Sequence, residues 1–468
     1  MRHPSTRMLT PVTTLENAAA PPWPDKDTRS MTASTDDPRV ALLAAPMSTY
    51  QKMGVAVVVF LCMLDGLDVM AITFVAPAIK AAWGISQGQI GWILASGLLG
   101  MAVGSLLIAP LADLIGRRRM IFVSLVFMIL GTIWSALTTN VTEMAISRVF
   151  TGLGIGTMIA VISSLAAEYS NTRSRDFAQS MFAVGFPVGG MLGGVLAGVL
   201  LPSYGWTAIF WVGSAVGLVM AVVVWLFLPE PIAPMIARPR ADTLDRVNAY
   251  LKRCGMAPIS KLPPPPEGAK AKPIKALFAP GMAGATMMVT AIYFLHVITL
   301  FFVQSWAPSL VANMGFKPNQ AALIAVWVNV GGIVGIPIIG AITMRVGLKP
   351  LVLAALAFGA AMTAVFGSIP PTFVLLSIGA FFTGLGLQSG MMGLYAVIAR
   401  TFPAHMRVSG IGFVIGVGRF GSAIGPAAAG ALLAAGLTGS MVAVVLAVPT
   451  MLAAMLLYKF AVRPPDTP

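Results

Sequence analysis

Two aspartates, Asp65 and Asp68, interrupt an otherwise apolar run from Val57 to Val75. If that run crosses a bilayer, each carboxylate at the midplane costs about 2.5–3.5 kcal/mol on insertion scales. Three residues apart on a helix, the two share one face. Low dielectric favours the neutral acid over the anion, and like charges this close titrate as one coupled unit. Such a pair is suited to holding and releasing protons, provided that both side chains face a common water-reachable chamber. The competing reading is a structural pair satisfied by Ser, Thr or backbone donors of neighbouring helices.

Four other side chains in apolar surroundings could meet a ligand. Arg148 and Arg419 are cations within long apolar stretches, and either could clamp a carboxylate bidentately. Arg148 could instead pair with one of the aspartates, or with Glu143 one turn earlier. His296 and Trp306 stand in a third stretch with Tyr293, Phe294, Phe301 and Phe302. The histidine is a candidate for proton relay or hydrogen bonding, and the indole for stacking on an aromatic ligand. Gly416-Val-Gly418-Arg-Phe-Gly421 matches G-x-G-x-x-G, but no strand precedes it, so nucleotide binding fails on context. Glycines there, and at Gly185, Gly189 and Gly193, allow close helix packing.

The elements that position these residues are membrane spans. Hydrophobic residues make up 57% of the chain and charged ones 10%, against about 25% charged in a soluble domain. Twelve stretches are long enough to cross: roughly 52–76, 88–112, 119–139, 142–167, 176–201, 206–228, 284–307, 318–342, 349–369, 371–398, 407–434 and 439–461. With the N-terminus inside, the inward loops receive Arg117–Arg119, Arg173, Arg175, residues 229–280, Arg345, Lys349, Arg400 and Arg407. The outward loops receive only Lys80 and Lys317. The net charge of +14 is therefore membrane topology rather than a nucleic-acid surface. Residues 1–49 read as a disordered cytoplasmic tail and 462–468 as another, with bundles at 50–228 and 281–461. Cys62 and Cys254 lie too differently to form a disulfide.

Shifting the chain by 231 residues superimposes its halves. Ala76-Pro77 meets Ala307-Pro308, Gly84 meets Gly315, Gly100 and Gly104 meet Gly331 and Gly335, and Gly116 meets Gly347. At 232, Thr151-Gly-Leu-Gly154 meets Thr383-Gly-Leu-Gly386. Two parallel six-span repeats result. Between them, residues 229–280 carry an apolar stripe, Leu244, Val247 and Leu251, which predicts a short amphipathic helix on the inner membrane face. Pro263–Pro266 then force an extended spacer.

Ala109-Pro-Leu-Ala-Asp113-Leu-Ile-Gly116-Arg-Arg-Arg119 resembles the loop signature of the major facilitator superfamily, with Ala109 in place of the usual first glycine and Leu114 in place of a basic residue. In the second-half counterpart, Met344 stands where the acid usually sits. Within that superfamily, Asp65-Gly-Leu-Asp68 is similar to the acid-Gly-x-Asp signature of aromatic acid:proton symporters, as are Arg148, opening Arg-Val-Phe-Thr-Gly-Leu-Gly154, and Glu168-Tyr169. The resemblance spans about residues 50–460. It implies an all-α protein of twelve transmembrane helices in two pseudo-symmetric bundles, in a bacterial inner membrane with both termini cytoplasmic. It further implies uptake of a benzoate-like acid with protons through Asp65, Asp68, Arg148 and Glu168. On this reading Arg148, Arg419, His296 and Trp306 meet the substrate. Asp113, Arg117, Arg118 and Glu168 form an inner charge network, with Glu168 pairing through Arg173 or Arg175. The expected protein is a monomer, not an enzyme, with no cofactor, metal or nucleic-acid partner. A carrier of sugars, dicarboxylates or drugs is the alternative.

Overall fold

The computed structural model describes residues 37–237, 239, 241–264, 277–403 and 406–460, without the side chains of Asp113, Asp176, Ala237, Met344 and Val408. Twelve of its helices are long and apolar enough to span a membrane. In the first half these are α2 (Thr49–Trp83), α3 (Gln87–Val103, continued by a wider turn over Gly104–Ile108 and a tighter one to Leu111), α5 (Arg117–Leu137), α6 (Val141–Glu168), α7 (Arg175–Tyr204) and α8 (Thr207–Phe227). In the second half they are α11 (Ala283–Asn313), α12 (Pro318–Val346), α13 (Leu348–Phe366), α14 (Phe373–Thr401), α15 (Arg407–Ala434) and α16 (Gly439–Lys459). The short helices are α1 (Pro38–Ala44), α4 (Ala112–Ile115), α9 (Ile232–Ala237) and α10 (Thr243–Arg253).

Local chemistry sets where these helices start and stop. Ser48 with Gln51, and Ser86 with Gln89, form reciprocal capping boxes at α2 and α3, satisfying amide donors that helix starts leave open. Gly116 and Gly347, paired by the repeat, both hold a positive φ (104° and 88°) where the chain turns into α5 and α13, a geometry that favours glycine.

The repeat also recurs in the packing. A Cβ on Gly100 would fall 2.3 Å from the Val149 carbonyl oxygen, and one on Gly331 would fall 2.0 Å from that of Phe381. Gly152 meets the Gly97 carbonyl and Gly384 that of Val328 in the same way. Each of these partners is its counterpart's equivalent under the repeat, at 231 for α3 and α12 and 232 for α6 and α14, so α3–α6 and α12–α14 are one contact built twice. In hydrocarbon, where lipid is as apolar as the side chains, such backbone approach supplies van der Waals attraction.

The halves touch through α3 against α15 and α7 against α12. Gly91 meets Gly430, and positions Gly194 and Gly198 pack on Val326 and Leu323. All of these lie toward the end that carries the turns at Gly84 and Gly315.

At the opposite end two expectations are corrected. Residues 37–49 belong to the fold rather than to a disordered tail: Asp37 caps α1, and Thr172 and Asn171 donate to the Leu43 and Ala45 carbonyls (3.1 and 2.9 Å). The α10 helix does form, but Val247 and Leu251 are buried against Leu42, Ile232 and Ile236 of α1 and α9. A small folded cap on the first half takes up the stripe that was expected to meet lipid. Residues 1–36, 265–276 and 461–468 lie outside the described residues, and with them half of the proline spacer.

Hydrogen bonds from Arg39 (2.7 Å at the closest) hold the Asp37 carboxyl below its ordinary value. A lowered folded value stabilises above the unfolded one, near 3.8, and the gain is lost as pH falls through the folded value. Asp37→Asn is accordingly expected to speed amide exchange in residues 39–44 at neutral pH. In strong acid, parent and variant should exchange alike.

Candidate functional site: a cavity between the halves

A cavity of about 170 Å³ lies between the two bundles. For scale, an engineered apolar cavity of about 150 Å³ accepts benzene, so this one suits a single aromatic ring. From the first half, Cys62 of α2 and Phe182 and Phe186 of α7 face it. From the second come Tyr293, Phe301 and Gln304 of α11, Gln388 and Tyr395 of α14, and Arg419 of α15. These residues come from the middle of their helices and from the ends nearer the basic loops. Tyr293 and Tyr395 lie with ring centroids 6.0 Å apart, tilted by 36°.

Arg419 brings positive charge to this otherwise neutral wall, and among the described residues it forms no ion pair. An anion entering the cavity would meet a guanidinium fork flanked by rings, which can bind a carboxylate and stack on its aromatic body.

Arg148 is placed differently. It is buried inside the first half, donates to the Asp68 main-chain carbonyl (3.0 Å) and stands 6.0 Å from the Phe210 ring centre. Its expected alternative partner, Glu143, turns instead to Thr139 and Asn140 at the exposed start of α6. Arg148 is thus no part of the cavity wall.

The aspartates also depart from expectation. Asp65 and Asp68 are buried (0% and 2% exposed) and neither faces the cavity. Asp68 points into the first bundle, where its Oδ1 lies 3.1 Å from the position of a Cβ on Gly213 of α8. Among the described residues, neither Asp65 oxygen meets a hydrogen-bond donor. Cys62, one turn before Asp65, is the part of α2 that faces the cavity. Gly66 explains the glycine between the acids: a Cβ there would sit 2.0 Å from the Phe186 carbonyl oxygen. Gly66→Ala should push α7 from α2 at a cost of about 1–3 kcal/mol, read as a lowered unfolding temperature in detergent.

His296 and Trp306 are likewise not brought to the cavity. His296 Nε2 can only donate to the Leu387 carbonyl (3.1 Å), so Nδ1 accepts from the Thr450 hydroxyl (3.1 Å). The ring ties α11 to α14 and α16 inside the second half. Trp306 is fully buried and donates to the Pro426 carbonyl (3.0 Å). The repeat maps His296 onto Asp65 as expected, but interior onto interior.

Of the expected inner charge network one pair is formed: among the described residues Glu168 pairs with Arg117 rather than with Arg173 or Arg175, and Arg117 also donates to Ser164 (2.8 Å). Arg118 donates to the Trp225 carbonyl. The Asp113 side chain lies outside the described residues. A member not foreseen is Glu230, whose carboxylate accepts from the backbone amides of Arg117 and Arg118 (2.9 and 3.2 Å). It caps α5, where an anion also meets the favourable end of the helix dipole. The available sequence signal was that Glu230 is the one acid between Asp176 and Asp242. Glu230→Ala should cost about 1 kcal/mol and lower the unfolding temperature, with Glu230→Gln intermediate.

A sequence model of the Major Facilitator Superfamily matches residues 58–317 and 289–468. The chain belongs to the major facilitator superfamily. Solved superfamily members share its fold: a proton:xylose symporter aligns with a TM-score of 0.67 at 17% identity, covering 89% of this chain and 96% of that one. A bacterial homologue of a human lysosomal transporter, Spinster, in an inward-facing, unoccupied conformation aligns at 0.65 and 18% identity, covering 88% and 97%. Among named relatives, a gallate transporter of Pseudomonas putida is 27% identical over 412 residues, covering 88% of this chain and 92% of the relative. A 4-hydroxybenzoate transporter of the same species is 29% identical over 420 residues (87% and 92%). A 3-(3-hydroxy-phenyl)propionate transporter of Escherichia coli is 28% identical over 394 residues (84% and 89%). As a superfamily member, the chain is a multi-pass membrane transporter and not an enzyme.

Proposed function

We propose that this transporter takes up an aromatic carboxylate together with protons, as a monomer in a bacterial inner membrane with both termini in the cytoplasm. The observation that carries the reading is the cavity itself: room for one ring, walls of Phe and Tyr, and Arg419 as its cation. Relatives named for gallate and 4-hydroxybenzoate, similar over nearly the whole chain, support the substrate class. The basic loops support the orientation.

In that orientation the glycine-lined contacts close the outer side, and the cavity belongs to the cytoplasmic half of the cycle. The substrate's carboxylate binds Arg419 while the ring lies among Phe182, Phe186 and Phe301. The proton resides on Asp65 and Asp68. These are shut from water in the described arrangement, so loading and release of the proton belong to a stage at which the first bundle opens beside Cys62. An unpaired buried charge is costly, and a neutral pair is therefore the form that can be sealed in while the carrier rocks. Purified protein in proteoliposomes with an acidic exterior should accumulate labelled 4-hydroxybenzoate against its gradient, and a protonophore should abolish this. Saturable uptake of a sugar or dicarboxylate with none of aromatic acids would overturn the reading.

A further inference from the structure

Thr132 of α5 is buried, and its hydroxyl meets no hydrogen-bond partner. Among the described residues it is the one threonine so placed. Other buried threonines turn back onto their own helix: Thr151, Thr290, Thr383 and Thr401 each donate to the carbonyl four residues earlier (2.6–2.9 Å). The repeat supplies an internal control. A shift of 231 carries Thr132 onto Thr363 and Asp68 onto Thr299. Thr363 donates to the Gly359 carbonyl and Thr299 to that of Leu446 (both 2.7 Å). With the same residue type in the same place, the hydroxyl is left over only in the half that carries an acid.

That acid is close at hand. The position of a Cβ on Gly213 of α8 lies 3.1 Å from Asp68 Oδ1 and 3.6 Å from Thr132 Cγ2. One rotamer change exchanges the threonine's methyl for its hydroxyl and turns a donor toward the carboxylate. Asp68 Oδ1 lacks a donor in the described arrangement, and Arg148 keeps Nε and Nη1 without acceptors. The charged groups beside Asp68 are Asp65 on its own helix and Arg148 from α6. Helix α8 carries none, those of α5 and α7 stand in their first turns, and His296 of α11 is bonded within the second half.

We propose that Thr132 is a positioning residue whose hydroxyl holds ionised Asp68 while the empty carrier returns. This rests on the proton-coupled reading above and extends it. The loaded carrier crosses with a neutral acid and needs no such donor. The empty one has given up its proton and must seal a carboxylate inside the bundle. A buried anion needs hydrogen bonds as well as a countercharge; Arg148 supplies the charge and Thr132 a bond.

Thr132→Val removes the hydroxyl and keeps the shape. Because it deletes a buried group that has no partner, its unfolding temperature in detergent should match or exceed the parent's. In proteoliposomes it should slow protonophore-sensitive net uptake of labelled 4-hydroxybenzoate about tenfold, the worth of one hydrogen bond to a charged group. Exchange of internal for external substrate never returns the carrier empty, and should stay within about twofold of the parent. Thr132→Ser should restore net uptake, and Gly213→Ala, which sets a methyl between the two side chains, should reproduce the split. Net uptake by Thr132→Val within about twofold of the parent would overturn the proposal, as would equal loss of uptake and exchange, or a lowered unfolding temperature. A parent whose uptake ignores the protonophore would be a different result, removing the proton-coupled reading and this inference with it.

Discussion

Arg419→Ala is expected to lower aromatic-acid uptake by about 100-fold or more while the protein still inserts and folds. Hydrogen bonds to a charged partner contribute about 1.5–3 kcal/mol each, a guanidinium fork makes two, and every 1.4 kcal/mol is about tenfold. Arg419 is only half-buried and makes no ion pair among the described residues, although its charge is felt at the buried Asp65 carboxyl. Arg419→Lys keeps the charge but loses the planar fork, and should recover part of the binding. Arg148→Ala should behave otherwise, lowering the yield of folded protein, because that guanidinium is packed inside the first bundle on the Asp68 carbonyl. Direct binding in detergent, measured beside uptake, separates the two. A KM for Arg419→Ala within threefold of the parent would remove the clamp.

The second large effect is expected at the acids. Asp65→Asn and Asp68→Asn cannot exchange a proton at that position. A pH step of one unit supplies about 1.4 kcal/mol per coupled proton, so a one-proton carrier concentrates its substrate about tenfold per unit. The variant that removes the coupling group should fall to simple equilibration while still exchanging internal for external substrate. If both acids carry protons, the membrane potential adds about 2.3 kcal/mol per 100 mV, and uptake at fixed pH should respond to a potassium diffusion potential. Uphill accumulation retained in both variants would end the assignment.

Much of the architecture was legible because a membrane leaves few choices. Twelve apolar stretches, basic residues in every other loop and glycines recurring at a shift of 231 or 232 define two bundles, and positions such as Gly100 and Gly331 then make the same backbone contact in each. The site was legible only in part. A polar residue in a span announces itself by type, but α2 and α11 are buried on nearly every side, so no polar face marks which way it turns. Spacing could place Asp65 and Asp68 on one face, yet not say that both are shut from water, with Asp68 turned toward α8. His296 failed for the same reason, through a correct repeat. Arg419 was found because a cation in a span is conspicuous. Gln304 and Gln388 were passed over because neutral amides in spans are not, although each is as deeply enclosed. Glu230 required knowing that the chain after α8 folds back onto the start of α5.

The two ends of the molecule are fastened by different forces. Where Gly91 meets Gly430 and Gly194 meets Val326, closure is shape against shape, and no ion pair crosses among the described residues. At the other end Arg117, Glu168 and Glu230 hold the first bundle by charge. Ionic strength should thus be felt at the charged rim alone. Bilayer thickness and lateral pressure, which act on how closely helices nest, become the natural means of biasing the glycine-lined end.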